Sequence, residues 1–293
     1  MTEQSRRERP RFPPWLRKRI PASGTIEQVR DMLRDLRLAT VCQSARCPNQ
    51  GECWSAGTAT FMILGDVCTR NCAFCAVSTG RPLPPDAQEP ARLAQAVFEM
   101  KLKHAVITSV TRDDLADGGA GHWAACVKAV KMKNPACAVE VLVPDFQGDI
   151  AAIKTVLAAQ PEIFGHNLET VERLQLPIRK SARYARSLKV LEDAKSLGAV
   201  TKTGLMLGLG EQEQEIAQTL RDARAAGVDI VTLGQYLRPS GAHAPVERWV
   251  HPDEFDRWAE FARQLGFGAV ESGPLVRTSY RAEQQSARLR KAD

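Results

Sequence analysis

The stretch FMILGDVCTRNCAFC, residues 61–75, joins a short apolar run to three cysteines that lie within eight positions, Cys68, Cys72 and Cys75. The run FMIL (61–64) has the length and apolar character of a buried β-strand. A dinucleotide-binding fold would place a GxGxxG turn after its first strand, and this chain has cysteines there instead. The fold therefore begins with a strand that leads into a cysteine-rich loop.

Downstream of residue 60, short apolar runs alternate with longer stretches of helical periodicity. We predict strands at 61–64, 104–110, 138–144, 162–167, 201–208 and 229–236, helices near 90–101, 122–133, 149–158, 182–197, 213–226 and 252–265, and an earlier helix near 26–37. Gly198 and Gly227 each follow a helix, as is typical of helix C-termini. Six βα units without hairpin signals predict a parallel sheet, either doubly wound or curved into a barrel. In both architectures the chemistry collects at the carboxyl ends of the strands.

The composition is that of a soluble globular protein. Hydrophobic residues make up 44% of the chain and charged residues 25%, and no uncharged apolar run approaches the roughly 18 residues of a membrane span. The acidic residues near the start argue against a secretory signal, while a short mitochondrial transit peptide stays open. Residues 1–20 carry seven Lys or Arg against two Glu, so the net charge of +6 is concentrated at the ends. A near-neutral body argues against a broad nucleic-acid groove, and the basic tails are either solvated ends or a means to steer an acidic partner.

Six of the eight cysteines fall between positions 42 and 75, while Cys126 and Cys137 stand alone in apolar surroundings and are expected in the core. The six form two triplets, C-x4-C-x5-C at 42–53 and C-x3-C-x2-C at 68–75. Disulfides are the alternative, but a chain of this length without a secretory signal is expected to keep thiols for metal or catalysis. Neither triplet completes a four-ligand zinc knuckle, whereas three cysteines on a 4Fe–4S cluster leave one iron open.

The C-x3-C-x2-C group follows a predicted first parallel strand, and in this position it resembles the signature of the radical S-adenosylmethionine superfamily. The resemblance implies that Cys68, Cys72 and Cys75 hold a catalytic 4Fe–4S cluster and that Phe74 lies beside the cofactor. It also implies that S-adenosylmethionine binds the open iron through its amine and carboxylate. Reduction by the cluster then cleaves it to methionine and a 5′-deoxyadenosyl radical.

Longer motifs narrow the resemblance to the lipoyl synthase family, and they occur in one order along almost the whole chain. They are PPWLR (13–17), ARCPNQGECW (45–54), CTRNCAFC (68–75), TSVTRDDLADGGA (108–120), HNLET (166–170), TKTGLMLGLGE (201–211), LGQYLRPS (233–240) and GPLVRTSY (273–280). The resemblance implies a partial (β/α)6 TIM-type barrel over residues 60–266. An N-terminal extension, 1–59, would carry auxiliary cluster ligands, and a C-terminal extension, 267–293, would supply a serine ligand.

In this family the C-x4-C-x5-C triplet, here Cys42, Cys47 and Cys53, binds an auxiliary 4Fe–4S cluster whose fourth iron is held by a serine of an Arg-Ser-Ser-Tyr motif. This chain reads RTSY at 277–280. The resemblance therefore implies Ser279 as the ligand and leaves Thr278 as a weaker candidate, because its branched side chain is stiffer. The implied reaction inserts two sulfur atoms, taken from the auxiliary cluster, at C6 and C8 of an octanoyl chain on a lysine of a carrier protein.

The segment TGLMLGLGE (203–211) resembles a glycine-rich segment that lies along the adenine in radical enzymes. Gly204, Gly208 and Glu211 occupy the matching places and are candidate cofactor contacts. The alternative is a strand and turn that need glycine for close packing.

Three more polar residues are candidate contacts of the methionyl carboxylate or the ribose, because the sequence places them near strand ends. They are Asn167, Lys202 and Arg238. The alternative for each is a buried structural hydrogen bond. Arg277, beside the implied serine ligand, is a candidate to gate access of the substrate.

The resemblance implies octanoylated lipoyl carrier proteins as partners, namely the E2 lipoyl domains of 2-oxoacid dehydrogenases and the H protein of glycine cleavage. It further implies a ferredoxin or flavodoxin electron donor, an Fe–S cluster carrier and a cytoplasmic location, with no nucleic-acid or membrane partner. Two rivals remain. One is a biotin-synthase-like enzyme, disfavoured because its auxiliary ligands lie inside the barrel, and the other is a zinc-stapled module that binds nucleic acid through its Arg-rich tails.

Overall fold

The computed structural model describes residues 12–17, 24–44, 47, 49–55 and 59–284, and most of the basic tail residues lie outside these ranges. The strands are β1 (Ala39–Thr40), β2 (Thr60–Ile63), β3 (Val67–Cys68), β4 (Ser78–Thr79), β5 (His104–Ser109), β6 (Ala138–Leu142), β7 (Ile163–Gly165), β8 (Thr201–Leu207), β9 (Ile230–Gln235) and β10 (Ala269–Gly273). The α-helices are α1 (Gly24–Asp35), α2 (Val41–Ser44), α3 (Gln50–Ser55), α4 (Glu89–Glu99), α5 (Ala120–Lys133), α6 (Ile150–Leu157), α7 (Glu172–Ile178), α8 (Tyr184–Ser196), α9 (Glu213–Ala225) and α10 (Pro252–Gln264).

Eight of these strands form one sheet in the order β1-β2-β5-β6-β7-β8-β9-β10. β1 pairs antiparallel with β2, and every other neighbouring pair of this described sheet is parallel. Helices separate consecutive parallel strands, and α4, α5, α6 and α8 pack one against the next along the outside. The α/β class and all six predicted strands are confirmed, with bounds that differ by a few residues.

β1, β10 and α7 belong to this sheet and its crossovers and were not predicted. β10 is a seventh parallel strand, paired with β9, and its polar second half hides the apolar pattern of a buried strand. Helix α7 has seven residues and contains Pro177, which normally ends a helix. Because β10 lies within residues 267–293, the sheet continues into the segment that we predicted as a C-terminal extension. The domain boundaries themselves stay a prediction.

The core lies between the sheet and the helices, and the strands β5 and β9 are almost entirely buried, as parallel strands covered on both faces should be. Cys126 and Cys137 are buried in this core, as predicted. Gly198 and Gly227 follow α8 and α9 with φ of +87° and +81°, which confirms them as helix-terminating glycines. No helix in the described part of the chain is both long and apolar enough to cross a membrane.

An ion pair is buried among the parallel strands. Lys202, near the start of β8, donates from Nζ to Oε1 of Glu140 on β6 at 2.7 Å, and both side chains are 0% exposed. The ring of His104 contacts the other carboxylate oxygen through Nε2 at 3.3 Å. Burial opposes ionisation of Glu140, yet the attraction of Lys202 holds the pKa of this carboxyl below its usual value. The pair therefore joins two strands that are separated by β7.

Replacing Lys202 with methionine should destabilise the fold by about 3–5 kcal/mol, because it leaves the Glu140 charge buried with only His104 beside it. The double replacement Lys202→Met with Glu140→Leu should recover most of this loss. Urea unfolding of the metal-free chain, followed by circular dichroism, measures both. A single variant as stable as the parent would show that the pair does not hold β6 and β8 together.

Candidate active site

A cavity of about 450 Å³ lies within the curve of the sheet. Residues of β2, β5, β6, β8 and β9 line it, together with the loops that follow β7 and β9, so the parallel strands bend around one space. Most of the wall is apolar. Three cysteines face this cavity, namely Cys75 from the second triplet and Cys42 and Cys47 from the first. Thiols of both triplets therefore meet in one chamber.

The second triplet lies on the loop that begins at the end of β3. The Cys68 Sγ accepts hydrogen bonds from the backbone N–H groups of Arg70, at 3.4 Å, and Thr111, at 3.3 Å. Burial raises the pKa of Cys75 to about 11, and burial also raises the pKa of Cys72 although the charge of Arg179 opposes it. Without a metal these thiols stay protonated at neutral pH, and a bound metal would displace the proton.

Two salt bridges of Arg70 hold this loop against the carboxyl edge of the sheet. The guanidinium of Arg70 donates to both oxygens of Asp113, at 2.6 and 2.8 Å, and to Oδ1 of Asp145 at 2.7 Å. Asp113 follows β5 and Asp145 follows β6, so the loop is tied to two strand ends. Charge-assisted bonds of this kind, largely buried, fix the backbone between Cys68 and Cys72.

The first triplet lies on α2, the following loop and α3. Cys42, Cys47 and Cys53 line a second, smaller cavity, and Ser279 faces the same space from the far end of the chain. Thr278 does not line this smaller cavity. Its hydroxyl lies in the larger one, where Oγ1 accepts a hydrogen bond from the Asn167 Nδ2 at 2.9 Å. The geometry therefore favours Ser279 over Thr278 as a partner of the first triplet.

The segment 275–280 that carries Ser279 is held from the N-terminal side by two hydrogen bonds. Asn49 donates from Nδ2 to the carbonyl oxygen of Leu275 at 2.6 Å. The Tyr280 hydroxyl donates to Oε1 of Glu52 at 2.9 Å. These bonds join residues more than 220 positions apart, so the two ends of the described chain meet at the small cavity.

Glycines make room for the same segment on the barrel side. A Cβ at Gly234 of β9 would lie 2.1 Å from the carbonyl oxygen of Val276. One at Gly204 of β8 would lie 2.8 Å from Oγ1 of Thr278 and 3.0 Å from Oδ1 of Asn167. All three distances are shorter than van der Waals contact, so only glycine lets this segment pass so close to the strands.

Two family profiles match this chain: the radical SAM superfamily over residues 62–223, and the N-terminal domain of lipoyl synthase of the radical SAM family over residues 1–47. The lipoyl synthase of Rubrobacter xylanophilus is 54% identical over 290 residues, which cover 98% of this chain and 90% of the relative. That of Thermus thermophilus is 54% identical over 275 residues, covering 92% and 85%. This chain belongs to the lipoyl synthase family. The resemblance drawn from the motifs is confirmed, and the zinc-stapled module is excluded.

Solved structures agree on the fold. Methylornithine synthase (PylB) aligns with a TM-score of 0.56 at 13% identity, covering 84% of each chain. The hydrogenase maturase HydG aligns with a TM-score of 0.58 at 14% identity, covering 85% of this chain and 68% of its own. At such identities the likeness concerns the fold alone. It confirms the predicted partial TIM-type barrel of radical SAM enzymes.

Membership of the lipoyl synthase family makes the protein a sulfurtransferase that uses S-adenosylmethionine and 4Fe–4S clusters, which confirms the expected cofactors. The side chains present fit these groups. Each triplet offers three thiols, the soft ligands that iron–sulfur clusters take, in a largely apolar setting. Arg277 faces both cavities, and its side chain forms no salt bridge among the described residues. The positive charge of the Arg277 side chain suits an anionic group bound between the triplets.

The structure brings four of the predicted cofactor contacts to the cavity that Cys75 lines. These are Phe74, Asn167, Gly204 and Arg238. Active sites of TIM-type barrels lie at the carboxyl edge of the strands, so this placement agrees with the prediction. Their roles toward S-adenosylmethionine stay a prediction.

The other three predicted contacts lie away from this cavity. Lys202 is at the start of β8, not at its carboxyl end, and is used in the buried pair with Glu140. Gly208 has φ of +100°, and a Cβ there would lie 2.2 Å from the Gln235 Nε2, so its glycine serves a tight turn. The carboxylate of Glu211 accepts the backbone N–H groups of Gly208 and Leu209 at 2.6 and 2.8 Å. In each case the structure favours the packing alternative.

Glu169, which lines the cavity, and Arg179, which holds the adjacent turn, were not predicted as cofactor contacts. Glu169 accepts a hydrogen bond from Asn167 at 3.1 Å, and loss of water raises the pKa of its carboxyl while the charge of Arg179 opposes the rise. Arg179 itself donates to the carbonyl oxygens of Asn167 and Leu168, which fixes the turn after β7. Glu169 lies within the motif HNLET, which the sequence analysis used for the family resemblance. Nothing in the motif singled out Glu169 as a residue that lines the cavity.

Gly234→Ala should displace the segment 275–280, because the new methyl group would collide with the Val276 carbonyl. We expect a loss of about 1–3 kcal/mol of unfolding free energy in urea and a failure to retain iron at the first triplet. Gly241→Ala is the matched control, since nothing lies within 4 Å of the added carbon. Equal iron content in the two variants would contradict the role of this close approach.

Ser279→Ala and Thr278→Val should differ, since Ser279 lines the small cavity with all three cysteines of the first triplet and Thr278 does not. After anaerobic reconstitution we expect the alanine variant to change the electron paramagnetic resonance spectrum of the auxiliary cluster. The valine variant should keep the parental spectrum and lose only the hydrogen bond to Asn167, worth about 1 kcal/mol. The reverse pattern would assign the ligand to Thr278.

Proposed function

We propose that this member of the lipoyl synthase family inserts sulfur at C6 and C8 of an octanoyl chain attached to a lysine of a lipoyl carrier protein. One observation carries the proposal: thiols of both triplets face a single, mostly apolar cavity. A cavity of about 450 Å³ is in the range of small-ligand sites and suits an alkyl chain next to a nucleoside.

The reaction needs a cofactor because C6 and C8 of an octanoyl chain carry unactivated C–H bonds, which no side-chain acid or base can ionise. When bound, S-adenosylmethionine and its cluster supply a radical that abstracts hydrogen, and the auxiliary cluster supplies sulfur. The protein has to hold these groups and the alkyl chain in contact and exclude water.

We assign the cysteines to two ligand sets. Cys68, Cys72 and Cys75 would hold the cluster that binds S-adenosylmethionine, and their loop is fixed by the Arg70 ion pairs. The auxiliary set would be the first triplet and Ser279. A hydroxyl oxygen is a poor match for iron beside thiolates, so Ser279 would be the ligand that is released first.

The remaining cavity residues would orient the reactants. Asn167, with its amide held between Glu169 and Thr278, can present a polar group to the cofactor. The missing side chain of Gly204 lets Thr278 and Asn167 approach β8 closely. Phe74 and Met206 contribute apolar wall that keeps the alkyl chain out of water. Arg277 supplies positive charge between the two cysteine sets.

We infer the finer partners from the family. The carriers would be E2 lipoyl domains of 2-oxoacid dehydrogenases and the H protein of glycine cleavage, with a ferredoxin or flavodoxin as electron donor and an Fe–S carrier to rebuild the auxiliary cluster. A cytoplasmic location would give access to these proteins. We also retain residues 1–59, 60–266 and 267–293 as functional divisions, although β10 adds part of the last to the sheet.

Two cysteine variants separate the assigned sets. Cys72→Ala should abolish cleavage of S-adenosylmethionine. Cys47→Ala should still form 5′-deoxyadenosine and give no lipoyl product, because only the sulfur source is lost. Cys137→Ala, in the core and away from both triplets, is the matched control and should keep both activities.

The decisive measurement is product analysis by mass spectrometry after anaerobic reaction with an octanoyl-lysine peptide. Lipoyl product from the Cys47 variant would refute the donor assignment. Sulfur insertion into dethiobiotin but not into the peptide would instead support the biotin-synthase-like rival.

A further inference from the structure

The loop 236–244 that follows β9 lies against the loop of the second triplet. The His243 ring donates from Nε2 to the carbonyl oxygen of Cys75 at 3.0 Å. One residue further, the backbone N–H of Ala244 donates to the carbonyl oxygen of Ala73 at 2.8 Å. Two hydrogen bonds from distant sequence thus end on the four residues from Cys72 to Cys75.

The orientation of the His243 ring is set by a second bond. Its Nδ1 lies 2.9 Å from the hydroxyl oxygen of Ser240. A backbone carbonyl can only accept, so Nε2 must carry the proton, and Nδ1 of the neutral ring then accepts from the hydroxyl. The imidazole is therefore held as a donor aimed at Cys75.

The loop is also joined to the cavity. Arg238 donates from Nε to the carbonyl oxygen of His243 at 2.8 Å, and the Tyr236 hydroxyl donates to that of Ala244 at 2.9 Å. Both Arg238 and Tyr236 line the cavity. Hydrogen bonds therefore connect the cavity wall to the backbone of His243, and the ring of His243 to Cys75 of the second triplet.

We propose that His243 is a positioning residue for the radical cluster: it fixes the peptide of Cys75 and thereby the direction of the Cys75 sulfur. The inference rests on the assignment of Cys68, Cys72 and Cys75 proposed above. On the other side the N–H of Ala73 donates to the carbonyl oxygen of Ile178 at the end of α7, so the loop is clamped from two elements. His243 is only half-buried, in a loop with exposed neighbours, so its loss should loosen this clamp without unfolding the barrel.

The test uses full-length protein in which Cys42, Cys47 and Cys53 are replaced by alanine, so that only the radical cluster can be reconstituted. In this parent, His243→Ala should accelerate removal of iron by a chelator about tenfold. It should also broaden the electron paramagnetic resonance spectrum of the reduced cluster with S-adenosylmethionine bound, and raise the KM for S-adenosylmethionine cleavage more than it lowers kcat. His243→Gln should restore most of these properties, because its amide can donate to the same carbonyl.

His251→Asn is the matched control. Within the described residues, the hydrogen bonds and ring contacts of His251 involve Asp253 and Trp15 and none of the cysteine loop. His251 accepts the Asp253 N–H at the start of α10, a role that asparagine also fills. All variants should share the parental urea midpoint. The inference would be overturned if His243→Ala kept the chelation rate, spectrum and KM of the parent. It would also be overturned if His243→Gln restored none of these properties. Either result would leave the proposed ligand set intact. A parent that binds no cluster would overturn the proposed ligand set and this inference with it.

Discussion

The close approach of the segment 275–280 to the barrel is the constraint on which the site depends. Its backbone passes against Gly234 at a distance that excludes any side chain, while Asn49 and Tyr280 tie it to the N-terminal helices. This arrangement brings a hydroxyl from near the end of the chain to three thiols from near its beginning. It also makes Arg277 and Thr278 part of the cavity wall, so one segment closes the chamber and completes the small cavity.

Burial explains why the site is suited to metal clusters and not to free thiol chemistry. Loss of water raises the pKa of Cys42, Cys72 and Cys75, so the thiols are neutral until a metal takes the place of the proton. The guanidinium of Arg179 supplies positive charge near Cys72, and that of Arg277 supplies it near Cys47. A mostly apolar chamber with fixed positive charge favours anionic thiolate clusters and would protect a radical from solvent.

Periodicity predicted the repeating part of the fold and spacing predicted the cysteines, because both signals are local. The six predicted strands and seven predicted helices needed only apolar pattern and terminal glycines. β10 and α7 were not predicted, because the polar end of β10 and the internal proline of α7 mask that pattern. The predicted strand 201–208 already placed Lys202 at its amino end, but the partner of Lys202, Glu140, lies 62 positions away, where no local pattern indicates a pair. The contact of His243 with Cys75 joins residues 168 positions apart, and no local pattern predicts it.

The ligand sets are tested most directly by diffraction data collected at the iron edge from anaerobically reconstituted crystals. The account predicts two separate clusters of four irons. One should be bonded to Cys42, Cys47, Cys53 and Oγ of Ser279, and the other to Cys68, Cys72 and Cys75 with one iron free of protein ligands. Single metal ions in the triplets, or one cluster that bridges them, would contradict it.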